Sequence, residues 1–224
     1  MAPGGVLRHS DDVLRPGGLA RLLRGLPSVD PRVTIVGGSH SAFAVAGVLL
    51  RSEVNWEPAA ITIRHRSPIR VTYQDIASAR RGRPAVRADQ ICPRTGIVNR
   101  FGGLRSDAAD LYQRIRSGDE RRVLLSHIAS RPLVDLVGPT DVVVAATGYV
   151  SAVQSLLPGA RWDSCGRLRQ AAGGASRRVL GLGLGTGRRR DAHTGGEPAF
   201  TGSIDGVWFY QNVVAPRLLE LITP

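Results

Sequence analysis

The sequence predicts an α/β layered domain built on a parallel sheet. Strand-like runs alternate with helical ones, one strand passes through Gly-Gly into a helix of small residues, and one late strand is almost wholly apolar. The first strand is RVTIV, residues 32 to 36, and the small-residue helix covers 39 to 51. AAITIRHR, 59 to 66, alternates as a second strand. From Ser67 to Gly103 the chain is rich in Pro, Gly and Arg with weak periodicity, which predicts irregular structure. RSDAADLYQRIRSG, 105 to 118, is a helix with Ser106 as N-cap and Gly118 just past its end. RRVLLSHI (121 to 128) and TDVVVAATGY (140 to 149) are strand-like, the second with the continuous apolar run of a central parallel strand. RRVLGLGLG, 177 to 185, adds a short strand, and DGVWFYQNVVAPRLLELI, 205 to 222, a closing helix that Pro216 kinks or divides. Ahead of all these, LARLLRGLP (19 to 27) is a short amphipathic helix ending at Gly25 and Pro27.

Composition narrows the function classes. With 224 residues, 42% of them hydrophobic, the chain can build a proper core. The longest apolar run, Ala42 to Leu50, is too short for a bilayer, which needs about 20 residues. The N-terminal segment has no apolar h-region, so no secretory signal and no membrane partner are expected, and the cytoplasm is the expected location. Cys92 and Cys165 stand far apart with neither a CxxC nor a His pair at metal spacing, which argues against a disulfide framework, a zinc site and a dithiol centre. The net charge of +12 comes from 30 basic residues, all of them Arg, scattered along the chain. The densest run, Arg188-Arg189-Arg190, has no interleaved aromatics to stack on bases. A solvated arginine-rich surface, with no nucleic-acid partner, is the expected reading.

One stretch carries chemistry. In a dinucleotide turn the first Gly allows the tight strand-to-helix turn, the second lets backbone approach the pyrophosphate, and the third lets helix and strand pack closely. Aligned on Gly37, these positions are Gly37, Ser39 and Ala42. Ala is an accepted third residue. Ser is a departure at the second, although its hydroxyl can itself bond a phosphate oxygen at a helix N-terminus. The alternative is a tight packed turn with no ligand. The second strand ends in Arg64, His65 and Arg66, where NAD enzymes usually carry an acid for the ribose 2′-hydroxyl. Arginine there suits the 2′-phosphate of NADP; otherwise these are two more surface arginines. His127 and His193 are acid–base candidates by residue type, with exposed or structural roles as the alternative, and no catalytic residue is assigned.

In four places, in order, the sequence resembles flavin-dependent monooxygenases and related two-dinucleotide-domain flavoproteins, including the amine N-hydroxylases. GGSHSA, Gly37-Gly38-Ser39-His40-Ser41-Ala42, is similar to their NADPH turn, Gly-x-Gly-x-Ser-Ala. Ala146-Thr147-Gly148-Tyr149 matches the segment where their chain crosses back toward the FAD domain. His9-Ser10 matches a pair ahead of their NADPH turn, and Asp205 to Ile222 their final helix. The resemblance implies NADPH and FAD as cofactors and a small-molecule substrate. NADPH would be held by residues 37 to 42 with Arg64 or Arg66, and the flavin approached by Gly148 and Thr147, with Gln211 and Asn212 near it or simply on the surface.

The fold it implies is a Rossmann-like NAD(P)-binding domain over 32–149. A remnant of the FAD domain would precede it at 1–31, and an incomplete FAD-domain segment would follow at 150–224. These flavoproteins carry their FAD turn well ahead of the NADPH turn. Here the upstream glycines are Gly4-Gly5 and Gly17-Gly18, and neither pair follows an apolar strand. The expectation is an NADPH-binding part whose FAD turn comes from a partner chain, from sequence lost to a mis-set start codon, or not at all, as in a degenerate fragment. A stand-alone NADP-binding module without turnover is the alternative.

Overall fold

A computed structural model describes residues 6–27, 29–82, 85–128, 140–148, 153–162, 168–170, 179, 181, 190, 194–202, 204 and 210–222. The chain divides into two compact units, one from residues 1–71 and 103–148, the other from 72–102 and 149–224.

The first unit begins with β1 (Val6–His9), α1 (Ser10–Leu14) and α2 (Gly18–Arg24). Then come β2 (Val33–Val36), α3 (His40–Leu50) and β3 (Ile61–His65). After the excursion into the second unit, α5 (Ser106–Ser117), β4 (Val123–His127) and β5 (Val142–Ala145) complete it. All five strands are parallel, in the order β1-β5-β2-β3-β4. Read from β4, the run β4-β3-β2-β5 has the 3-2-1-4 order of a doubly wound sheet. The sheet is therefore Rossmann-like.

Burial follows position in the sheet. All of β2 is buried between its two neighbours, as its run VTIV requires, whereas edge strand β1 is exposed at all four residues. The early Gly- and Pro-rich sequence hides β1, because four residues that alternate with nothing before or after give no periodic signal. Its pairing with Val142–Ala145 creates it. Against the sheet, α3 buries Ala42, Phe43, Val45, Ala46 and Leu49. The small residues bring its axis close to β2, and burying Phe43 or Leu49 contributes about 1.5–3 kcal/mol each. Trp56 is locked behind the helix by donating its indole N–H to the Leu49 carbonyl at 2.8 Å. Phe43 meets Tyr112 of α5 edge-to-face at 6.0 Å. That helix starts one residue earlier than its capping pattern suggests: Arg105 is its N-cap, and Ser106, with φ of +48°, is its first residue. Gly118 ends it in the left-handed conformation, as expected.

The second unit is described over shorter stretches. Its described elements are α4 (Ile76–Gly82), a 3-10 turn at Ala88–Gln90, α6 (Val153–Leu156), an antiparallel pair of β6 (Arg161–Trp162) and β7 (Leu168–Gln170), and α7 (Ala215–Ile222). Tyr210–Val214 is a π-helical turn leading into α7, with Pro216 in the first helical turn, where a missing N–H is tolerated. Most of RRVLGLGLG, and Cys165, His193 and Tyr149, lie outside the described residues.

Buried polar bonds hold the 85–102 stretch to 194–200. Glu197 is fully buried and accepts the backbone N–H of Phe101 at 3.1 Å and of Gly102 at 2.8 Å. Arg100 donates to the Thr194 carbonyl at 2.8 Å, and the Gly196 N–H points at the Cys92 sulfur at 3.1 Å. Burial alone would push the Cys92 thiol up. Hydrogen bonds from Thr95, the Gly196 N–H, Arg100 and the Arg94 N–H outweigh it and bring its pKa to about 7. The thiolate is thus favoured by folding, and the sign of the pH dependence follows. The unfolded thiol titrates near 8.5, so this stabilisation is full above that pH and is lost as pH falls through about 7. In urea unfolding, wild type is expected to gain on the order of 1–2 kcal/mol over Cys92→Ser between pH 7 and 9. A constant difference between the two across that range would rule the thiolate out.

Candidate functional site

The carboxyl ends of the five strands form one edge, and every motif of the sequence that the first unit describes lies along it. The registers align His9 of β1 with Ala145 of β5, Ala145 with Val36 of β2, Val36 with Arg64 of β3, and Arg64 with Ser126 of β4. Just beyond this row come Ser10, Ala146-Thr147-Gly148, Gly37-Gly38-Ser39, His65-Arg66 and His127. The chain leaves β2 toward β3, while β5 flanks its other side, so Gly37 opens at the switch point where α/β sheets bind ligands.

The turn is built by close approach. Gly37 has φ of +145°, donates its N–H to the Arg64 carbonyl at 2.8 Å, and lies so near β5 that a Cβ would sit 2.2 Å from the Ala146 carbonyl oxygen. A Cβ on Gly38 would come within 2.8 Å of the His65 Cβ. The dinucleotide-turn pattern accounts for Gly37 but not for Gly38. The reason for Gly38 is a neighbouring strand end, invisible in a single linear motif. Ser39 is the N-cap of α3 and is exposed, yet its side chain makes no capping bond, so its hydroxyl is available for a ligand. Ser41 is half-buried. Ala42 is fully buried, where a larger residue would hold helix and sheet apart.

His40 is exposed, and its Nε2 accepts the Arg105 N–H at 3.2 Å. Arg64 is half-buried with its Nε buried and without a hydrogen-bond partner, while Arg66 is exposed. Thr147 and Gly148 are exposed, and Gly148 takes φ of +100° with open space around it. His9 is exposed, with its backbone N–H on Asp12 at 3.3 Å. Gln211 and Asn212 are exposed residues of the second unit. The structure also sets His65 and His127 in register with ring centroids 5.4 Å apart. That pair went unread because its members are 62 residues apart in sequence; the one available signal was that each ends a strand.

A parallel 3-2-1-4 sheet with a glycine turn at its switch point defines a Rossmann-like unit. In sequence the chain is similar to the CMP-5'-(3-aminopropyl)phosphonate hydroxylase of Streptomyces rubellomurinus (strain ATCC 31215), with 31% identity over 214 aligned residues. The alignment covers 85% of this chain and 49% of the relative, so the chain spans about half that enzyme's length. No protein-family model and no solved structure matches the chain. Among the described residues, no group of three or more His, Cys, Asp or Glu is placed to hold a metal, and no helix is long and apolar enough to cross a membrane.

Proposed function

We propose that this chain is the NADPH-binding part of a FAD-dependent monooxygenase that hydroxylates a small molecule. The observation that carries the reading is the row of strand ends that gathers His9, Gly37 to Ser39, Arg64 and Ala146 to Gly148 on one edge. Similarity to a protein named as a hydroxylase, over most of this chain, supports the reaction class.

The residues fit a dinucleotide. Gly37 and Gly38 keep the approach to the turn clear of side chains, and Ser39 has an uncommitted hydroxyl. The 11-residue helix α3 has its N-terminus at this edge, a favourable place for a pyrophosphate. Arg64 and Arg66 then meet the 2′-phosphate, and Gly148 with Thr147 leads toward the flavin. When bound, NADPH supplies the hydride that reduces FAD, and reduced flavin supplies the electrons that activate oxygen.

Among the described residues, one glycine turn joins a parallel strand to a helix. FAD is therefore assigned chiefly to a partner chain or a further part of a longer protein. Val6 and Leu7 on edge strand β1 are 42% and 59% exposed, an apolar edge that such a part would cover.

The binding arm of the test is titration of the purified chain with NADPH, NADP and NAD. Replacing Arg64 and Arg66 together by Ala is expected to weaken NADP about 10- to 100-fold, since one or two charge-assisted bonds are lost, and to leave NAD nearly unchanged. Equal loss for both removes the 2′-phosphate assignment. A second reading, an NADP-binding module without turnover, is favoured by the single glycine turn and by the second unit, whose described strands form only an antiparallel pair. The visible spectrum separates the two. A protein that purifies yellow, or takes up FAD when supplied, supports the enzyme, and one that stays colourless with FAD both alone and when co-expressed with an FAD-turn sequence encoded beside it supports the module.

A further inference from the structure

We propose that His65 and His127 complete a phosphomonoester site with Arg64 and Arg66, so that the 2′-phosphate of NADP is bound together with a proton. The proposal rests on the NADPH reading and names further residues that set cofactor choice.

The geometry begins in the register. His65 ends β3 and His127 ends β4, directly across from it, at the place where the ribose 2′ position of a bound dinucleotide lies in this topology. Each ring is anchored through one nitrogen to a backbone carbonyl. His65 Nδ1 is 2.9 Å from the Ser67 oxygen, and His127 Nε2 is 2.9 Å from the Arg66 oxygen. A carbonyl only accepts, so both anchoring nitrogens must carry hydrogen. That leaves His65 Nε2 and His127 Nδ1 as the remaining nitrogens of two adjacent rings. His65 is half-buried and His127 exposed, so both are within reach of a ligand.

Among the described residues named beside the pair, the charged groups are basic. Arg64 and Arg66 flank His65 on its own strand, Arg64 with its buried Nε unpartnered. From β4 the register partner of Arg64 is Ser126, and from the β2–α3 turn Gly38 packs on the His65 Cβ. None of these brings a carboxylate. Two arginines and two imidazoles on adjacent strand ends suit a compact dianion. A neutral imidazole, however, offers its second nitrogen as an acceptor, which a phosphate oxygen repels. Protonation turns that nitrogen into a donor. Seating the 2′-phosphate therefore draws a proton from solvent, while NAD, lacking that group, draws none.

The test is calorimetric titration of NADP and NAD near neutral pH in buffers of different ionisation enthalpy. Wild type is expected to take up as much as about one proton with NADP and essentially none with NAD. Two substitutions keep the anchors while removing the outward nitrogens. In His65→Asn the amide stands near the Nδ1 position, and in His127→Gln near Nε2. The double variant is expected to retain the wild-type melting temperature and NAD affinity, lose proton uptake, and lose about tenfold of its preference for NADP. Unchanged preference and uptake in the double variant overturn the proposal while leaving the NADPH reading intact. A wild type that binds both cofactors equally overturns the proposal and that reading together. If the double variant melts early, proton uptake by wild type still decides: an equal value for NADP and NAD overturns the proposal.

Discussion

Replacing Gly37 by Ala is expected to destabilise the first unit by about 3 kcal/mol or more and to abolish the dinucleotide binding proposed above. Two independent costs fall on one atom. The backbone at φ of +145° is strained for any L side chain, which costs about 1–3 kcal/mol. The new methyl would also sit 2.2 Å from the Ala146 carbonyl oxygen, so β2 and β5 must separate. Those strands are central, and Ala146 donates its N–H to the Val36 carbonyl at 2.8 Å, so separating them breaks that bond as well. For a domain stable by about 5–15 kcal/mol, the loss is a large share. The midpoint of urea unfolding, followed by far-UV circular dichroism, reads it directly. Gly148→Ala is the control: φ there is +100°, but nothing lies within 4 Å, so only the backbone strain remains. If the two variants unfold at the same midpoint, close approach of β5 is not what requires glycine at 37.

Replacing Glu197 by Ala is expected to loosen the second unit by about 2–4 kcal/mol. The carboxylate is fully buried and accepts N–H groups from two successive residues, Phe101 and Gly102, on a segment nearly a hundred residues away in sequence. Removing it deprives both donors of their acceptor and leaves a cavity where the fully buried carboxylate stood, losing two charge-assisted hydrogen bonds of about 1.5–3 kcal/mol each, less where water reaches the exposed Gly102. Amide exchange in the peptide containing Phe101 and Gly102 is the sensitive readout. Those amides are protected in wild type and become fast in the variant. Glu197→Gln keeps one carbonyl acceptor and is expected to fall between the two. Wild-type protection in Glu197→Ala would mean that the segment is held by something other than this carboxylate.

The two variants probe parts of the molecule that differed in how far the sequence revealed them. The strands β2 to β5 were legible because each is a run of apolar or alternating residues, and the order in which they appear is that of a doubly wound sheet. The helices α2, α3 and α5 were legible from their periodicity and from terminal glycines such as Gly25 and Gly118. The candidate turn, Gly37 to Ala42, was legible as a spelling, and so was the arginine at the end of the second strand. The role of Gly38 was not, because its constraint comes from His65 on the next strand. Nor was the pairing of His65 with His127, which exists only once β3 and β4 are in register.

By itself, the sequence determined the local elements of the first unit and the residue types at the ends of its strands. Periodicity of hydrophobic residues and the conformational demands of glycine are properties of neighbours along the chain. Only the tertiary structure decided that His9, Gly37, Arg64 and Ala146 share one edge, and that β1 is a strand at all. Likewise, residues 85–102 show almost no periodicity, since their order comes from Cys92, Arg100 and the N–H groups of 101 and 102, bonded to residues 194–197. Contacts over such distances cost loop-closure entropy and leave no repeating trace in the sequence. They become visible only when the chain has closed on itself.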